Sequence, residues 1–187
     1  MKSNQLSKNT DNIKSGKLIM NFDVVKLYEM QSKLDGYIIV NHNVKEQETI
    51  NERWIALLVE LGELANETRC FKYWSLKSAS EKNIVLEEYV DGVHFILSIG
   101  NTIKQSRILP NINEVKINPT KKELTNKFAE LFTCITDSMN KTDIFTHNEV
   151  FAKFLELGLM LGFSSDDIYN AYLNKNQINF ARQDNKY

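Results

Sequence analysis

Apolar residues recur at positions 54, 57, 58, 61, 64 and 65, a spacing that returns to one face of a helix every turn and predicts a helix from about 46 to 71. A second run, Ile84, Val85, Leu86, Tyr89, Val90, Val93, Phe95, Ile96 and Leu97, covers almost every side of a helix from a Ser80 cap to about 103. A helix apolar all round belongs at the centre of a molecule, mostly enclosed. Upstream, Asn21 or Asp23 can cap a helix over about 23–35, with Gly36 closing it at the C′ position, followed by a polar turn and a brief apolar patch at 38–40. Downstream, Pro110 and Pro119 mark 104–119 as the one clear break in helical pattern, a linker or small inserted element. Helical spacing resumes over about 120–139 and 147–161, and a last helix starts at Ser164, which pairs with Asp167 as in a capping box. No strand series, repeat or low-complexity tract appears. The expectation is an all-α helical bundle, a single domain over 21–187 with a variable inserted segment at about 104–146, preceded by an unstructured arm over 1–20.

Composition agrees. The chain holds only 7 Gly and 2 Pro in 187 residues, as a helical protein would. A chain of this length buries roughly 70% of its unfolded surface, so it needs no disulfide or structural metal, and any metal must have a functional reason. With 23 Lys+Arg against 24 Asp+Glu the net charge is −1, which argues against direct nucleic-acid binding through a basic surface. Cys70 and Cys134 form no CxxC pair, fit a reducing, cytoplasmic compartment, and read as packing residues. No stretch reaches the roughly 20 apolar residues of a membrane span. The polar, Lys-rich N-terminus has no apolar region of the kind a secretory signal requires. His42 and His147 read as surface residues.

Four carboxylates break the apolar pattern. Glu60 lies three residues after Leu57 and four before Leu64, beside the apolar stripe, and Glu63 follows one turn on. Glu88 and Asp91 repeat that spacing within the most apolar helix of the chain. Unpaired buried carboxylates cost several kcal/mol each, and these two helices offer little nearby cationic charge. Divalent metal resolves the conflict, because paired carboxylates on facing helices suit hard cations such as magnesium. Gly62 sits inside the first pair and Gly92 directly after the second, where a missing side chain lets helices approach or leaves room for a ligand. Ordinary surface charge on long helices is the bland alternative. A di-iron bundle is another, but it needs Glu-x-x-His on two helices, and only Asp91-x-x-His94 is present. The all-oxygen set favours magnesium and phosphate chemistry.

Glu60-x-x-Glu63, a spacer of about two dozen residues and Glu88-x-x-Asp91 resemble the metal motif of the all-α nucleoside triphosphate pyrophosphatases. FKYWS at 71–75, EEYVDGVHFILSIG at 87–100 and YLNKNQINFARQDNKY at 172–187 resemble the dimeric dUTPases within that superfamily, and the likeness runs from about residue 22 to the C-terminus. The resemblance implies a homodimer with a central four-helix metal-binding core that hydrolyses dUTP, and dUDP, with Mg2+. Carried over, Glu60, Glu63, Glu88 and Asp91 would hold the metal, and one of the first pair, Glu60 foremost, would orient or deprotonate the attacking water. Lys175 and Arg182 suit phosphate oxygens and Asn179 sugar or phosphate, all on one face of the last helix. Gln31, Trp74, His94 and Phe95 would recognise the base, with Phe95 crowding a 2′-hydroxyl. Core packing is the competing reading for Trp74, His94 and Phe95. Two alternatives stay open: a pyrophosphatase of another base preference, and a phage-type enzyme that also binds a repressor protein through the 104–146 segment. A purely structural bundle would leave the four carboxylates without a purpose.

Overall fold

The computed structural model describes residues 20–185. Six helices follow one another: α1 Val24–His42, α2 Ile50–Thr68, α3 Lys82–Thr102, α4 Lys121–Lys141, α5 Ile144–Met160 and α6 Ser165–Asp184, with a short 3-10 turn at Glu46–Thr49 before α2. The described residues contain no strand, and no helix among them is long and apolar enough to cross a membrane. The expected arm at 1–20 lies, but for Met20, outside the described residues, as does Tyr187.

The all-round apolar helix is central. α3 packs against α1, α2, α5 and α6, and eleven of its residues are buried. Trp54, Tyr28, Tyr89, Tyr172, Phe151 and Phe154 are the largest fully buried side chains of the core. Tyr89 stacks on Phe154 at 4.7 Å and donates to its carbonyl at 3.0 Å. Gly92 permits that closeness, since a Cβ there would sit 2.5 Å from Phe154 Cζ. Gly62 has open space where its Cβ would be, so close helix approach does not explain it. Cys70 and Cys134 are free and buried.

Caps set most of the boundaries. Asp23 accepts from the Lys26 amide, Asp143 from those of Phe145 and Thr146, and both Thr120–Glu123 and Ser164–Asp167 form capping boxes. Several expected ends shift. α1 continues through Gly36 to His42 and stops at Asn43, which takes the left-handed conformation. The extra turns are held by tertiary contacts: Tyr37 packs on Phe180 and donates to Asp184 Oδ1 at 2.6 Å. α2 ends at Thr68 rather than near 71, with Arg69 in the left-handed conformation. Ser80 does not cap α3; its hydroxyl bonds Glu67, and Glu81 precedes the helix. α5 begins three residues before the expected 147, which places His147 inside the helix and fully buried rather than at the surface.

The irregular stretch between α3 and α4 is anchored at several points: Gln105 donates to Asn148 Oδ1 at 3.3 Å, Arg107 pairs with Glu29 at 3.8 Å, and Leu109, Ile112 and Val115 pack against the core. Glu156, buried on α5, accepts from the Asn113 backbone and side chain at 2.8 Å each and pairs with Lys127 of α4 at 2.5 Å.

Candidate active site

α2 and α3 run antiparallel and face each other with polar stripes. On α2 the stripe is Arg53, Glu60 and Glu63; on α3 it is Glu88, Asp91, Ser98 and Thr102, interrupted by the apolar Phe95, each series at helical spacing. At one end Arg53 meets Ser98 and Thr102. Its Nη1 donates to Ser98 Oγ at 3.1 Å and Thr102 Oγ1 at 2.6 Å, and its Nη2 donates to the Glu46 carbonyl at 2.6 Å and Thr49 Oγ1 at 2.7 Å. At the other end Glu60, Glu88 and Asp91 each offer an oxygen within 4.8 Å of the others. Glu63 is not in that group; it lies exposed one turn along α2.

Electrostatics mark the cluster. Burial, then the charges of Asp91, Glu63 and Glu88, push the Glu60 carboxyl up to about 7. Glu88 is raised by burial and by Asp91 and Glu63, and Asp91 is raised by burial despite its bond to a lysine. That lysine is Lys175 of α6, buried, with Nζ 2.6 Å from Asp91 Oδ2 and 3.0 Å from Glu87 Oε1. The compensating cation missing from α2 and α3 thus comes from the last helix. Burial works to lower the Lys175 pKa, and the bonds to Asp91 and Glu87 raise it above its ordinary value.

A cavity of about 350 Å³ opens beside the cluster, enclosed by α1, α2, α3 and α6. Its wall contains seven of the expected site residues: Gln31, Glu60, Asp91, His94, Phe95, Asn179 and Arg182. Glu88 and Lys175 adjoin it through Asp91. Trp74 stands apart, 65% exposed in the stretch between α2 and α3, edge-on to Phe71 and Tyr73. Neither Trp74 nor Glu63 lines the cavity.

Beyond the acidic cluster the cavity wall is polar and buried, with Gln31, Arg53, His94 and Ser98 all shielded from solvent. His94 is buried, stacked on Tyr172 at 4.2 Å, and burial holds its pKa down at about 3. Asp35 is pushed up by burial, while bonds from Gln31 and Ser98 and the charge of Arg53 act to lower it. Arg53, Ser98 and Tyr172 were not expected here. Arg53 was detectable by the argument that found Glu60, as a charge four residues before Leu57 on the apolar side of α2. Tyr172 gave no such sign, because a tyrosine among apolar positions looks like ordinary core.

The donor set suits a hard divalent cation: all oxygen, from two facing helices, with carboxylates crowded enough to raise one another's pKa. No curated protein matches the chain. A family model described as dUTPase matches residues 23–187, from the first helix to the end of the chain.

Proposed function

We propose a function that starts from a plain fact: this chain belongs to the all-α dimeric dUTPase family. Hydrolysis of dUTP is the activity of that family. The finer reading is that dUTP, and dUDP, are hydrolysed to dUMP in the cavity between α1, α2, α3 and α6 with magnesium. One observation carries it: three carboxylate oxygens from α2 and α3 converge beside a cavity whose wall also offers a buried amide, a neutral imidazole and a phenyl ring.

Glu60, Glu88 and Asp91, with Glu63 one turn further out, would hold the metal. Bound there, magnesium would offset the charge of the polyphosphate, polarise phosphoryl oxygens and lower the pKa of a coordinated water. Glu60 orients the attacking water and takes its proton on a carboxylate oxygen. Asp91 is held in place by Lys175, whose charge, with that of Arg182 at the cavity rim, faces the phosphate chain. Asn179 meets sugar or phosphate by hydrogen bonds. Gln31 and His94 read the edge of the base against Phe95, which also crowds a 2′-hydroxyl. Trp74 enters this reading as a base contact brought by the 69–81 stretch. A homodimer is part of it, supported by Ile55 and Val59, exposed one turn apart on α2.

Pyrophosphate release from dUTP, dCTP and dTTP, with magnesium and with a chelator, tests the reading. Metal-dependent turnover that favours dUTP is expected. Equal or better turnover of either competitor, or full activity in chelator, overturns it.

A further inference from the structure

Away from the carboxylate cluster, side chains of three helices form a chain of hydrogen bonds along the cavity. Gln31 donates from Nε2 to Asp35 Oδ1 at 2.8 Å, one turn along α1. Its Oε1 lies 2.7 Å from His94 Nδ1 on α3 and 2.9 Å from the Tyr172 hydroxyl on α6. A carboxylate has no proton to give, so Asp35 decides which end of the amide it faces. The amide oxygen then accepts from His94 Nδ1–H, and from the Tyr172 hydroxyl, whose proton also has the Leu27 carbonyl within 3.3 Å. His94 is thereby fixed as the Nδ1–H tautomer, with its buried Nε2 left as an acceptor that has no partner. The other buried histidine is the reverse. His147 donates from Nε2 to the Ile96 carbonyl at 2.8 Å, leaving Nδ1 the acceptor. Asp35 is itself placed by its surroundings: Ser98 lies beside it, and Ser98 Oγ accepts from Arg53 Nη1 at 3.1 Å.

We infer that Asp35 is a positioning residue for base recognition: by locking the Gln31 amide, and through it the His94 tautomer, it fixes the order of donors and acceptors along this wall. The inference rests on the reading of the cavity as the site of the base. Uracil and cytosine present opposite orders on the same edge, an acceptor O4 beside a donor N3–H against a donor N4–H beside an acceptor N3. An amide free to turn end for end serves both, whereas a locked one serves one. Asn at position 35 is isosteric but can face Gln31 with either end, so it releases the lock.

Two measurements on the full-length protein test this. With selectively 15N-labelled histidine, and His42→Asn to identify the exposed residue, the buried pair should show one Nδ1–H and one Nε2–H tautomer. This needs neither substrate nor a variant at position 35. Asp35→Asn should lose the Nδ1–H pattern and lower the dUTP to dCTP ratio of kcat/KM about tenfold, with a smaller change in kcat for dUTP. Finding His94 as Nε2–H in the wild type overturns the lock. An unchanged substrate ratio in Asp35→Asn overturns the role in recognition, whatever the tautomer. If the wild type hydrolyses no dUTP, the functional reading fails and the recognition role with it, while the tautomers still judge the lock separately.

Discussion

Lys175 Nζ lies 2.6 Å from Asp91 Oδ2, joining the last helix to the acidic centre of the third across more than eighty residues of chain. The contact makes Lys175 a fixed counter-charge for carboxylates that would otherwise repel one another. Lys175→Met keeps the length of the side chain and removes the charge. Losing one partner of a fully buried pair costs about 3–5 kcal/mol; Asp91 is partly exposed, so about 2 kcal/mol is expected here. Thermal melts in chelator should show the loss, and added magnesium should restore more stability to the variant than to the wild type. Equal magnesium effects in the two proteins would count against a shared electrostatic site.

Glu60 predicts a trade between stability and function. Its carboxyl is raised to about 7 from an ordinary 4.5, so the folded state holds the proton more tightly than the unfolded one. That contribution to stability is complete below 4.5 and lost as pH rises through 7. Without divalent ions, Glu60→Gln should be more stable than the wild type at pH 8, with the difference narrowing towards pH 4.5. Urea unfolding at the two pH values measures this; a variant less stable than the wild type at pH 8 contradicts it.

His147 acts with the opposite sign. Burial lowers its pKa from 6.5 to about 4, so its contribution is present above 6.5 and lost as pH falls towards 4. His147→Gln retains a hydrogen-bond donor without a titrating ring. Between pH 7 and pH 5 the stability advantage of the wild type over this variant should shrink by about 2 kcal/mol. A constant difference in urea midpoints would show that the ring is not held neutral.

The two glycines at the carboxylate pairs, Gly62 within the first and Gly92 directly after the second, should behave differently. Gly92→Ala drives a methyl group into Phe154 and should cost about 1–3 kcal/mol. Gly62→Ala meets nothing, and as a helix-interior change should gain up to about 1 kcal/mol. Denaturant midpoints decide both, and similar losses at the two positions would refute the distinction.

What the sequence reveals follows from what is local. Helical spacing identifies α2 and α3, the prolines place the break before α4, and a capping box announces α6, because each depends on neighbours within one or two turns. Gly36 misleads, since its weak helix preference is overridden by the packing of Tyr37 on Phe180 far along the chain. His147 misleads for a related reason: a start placed three residues late turns a buried position into a terminal one. In the site, carboxylates on an apolar face stand out because burying them is costly. Pairings between distant segments, Lys175 with Asp91 and Tyr172 with Gln31, have no such signature. Arg53 did, since a guanidinium on an apolar stripe poses the same problem as Glu60.

Hydrolysis of dUTP in magnesium by Glu60→Gln and Asp91→Asn, followed as pyrophosphate release beside the helical circular dichroism of each variant, tests the central claim most directly. The account predicts that turnover falls by about a thousandfold or more in both while the helical signal is unchanged. Undiminished hydrolysis by either variant would contradict it.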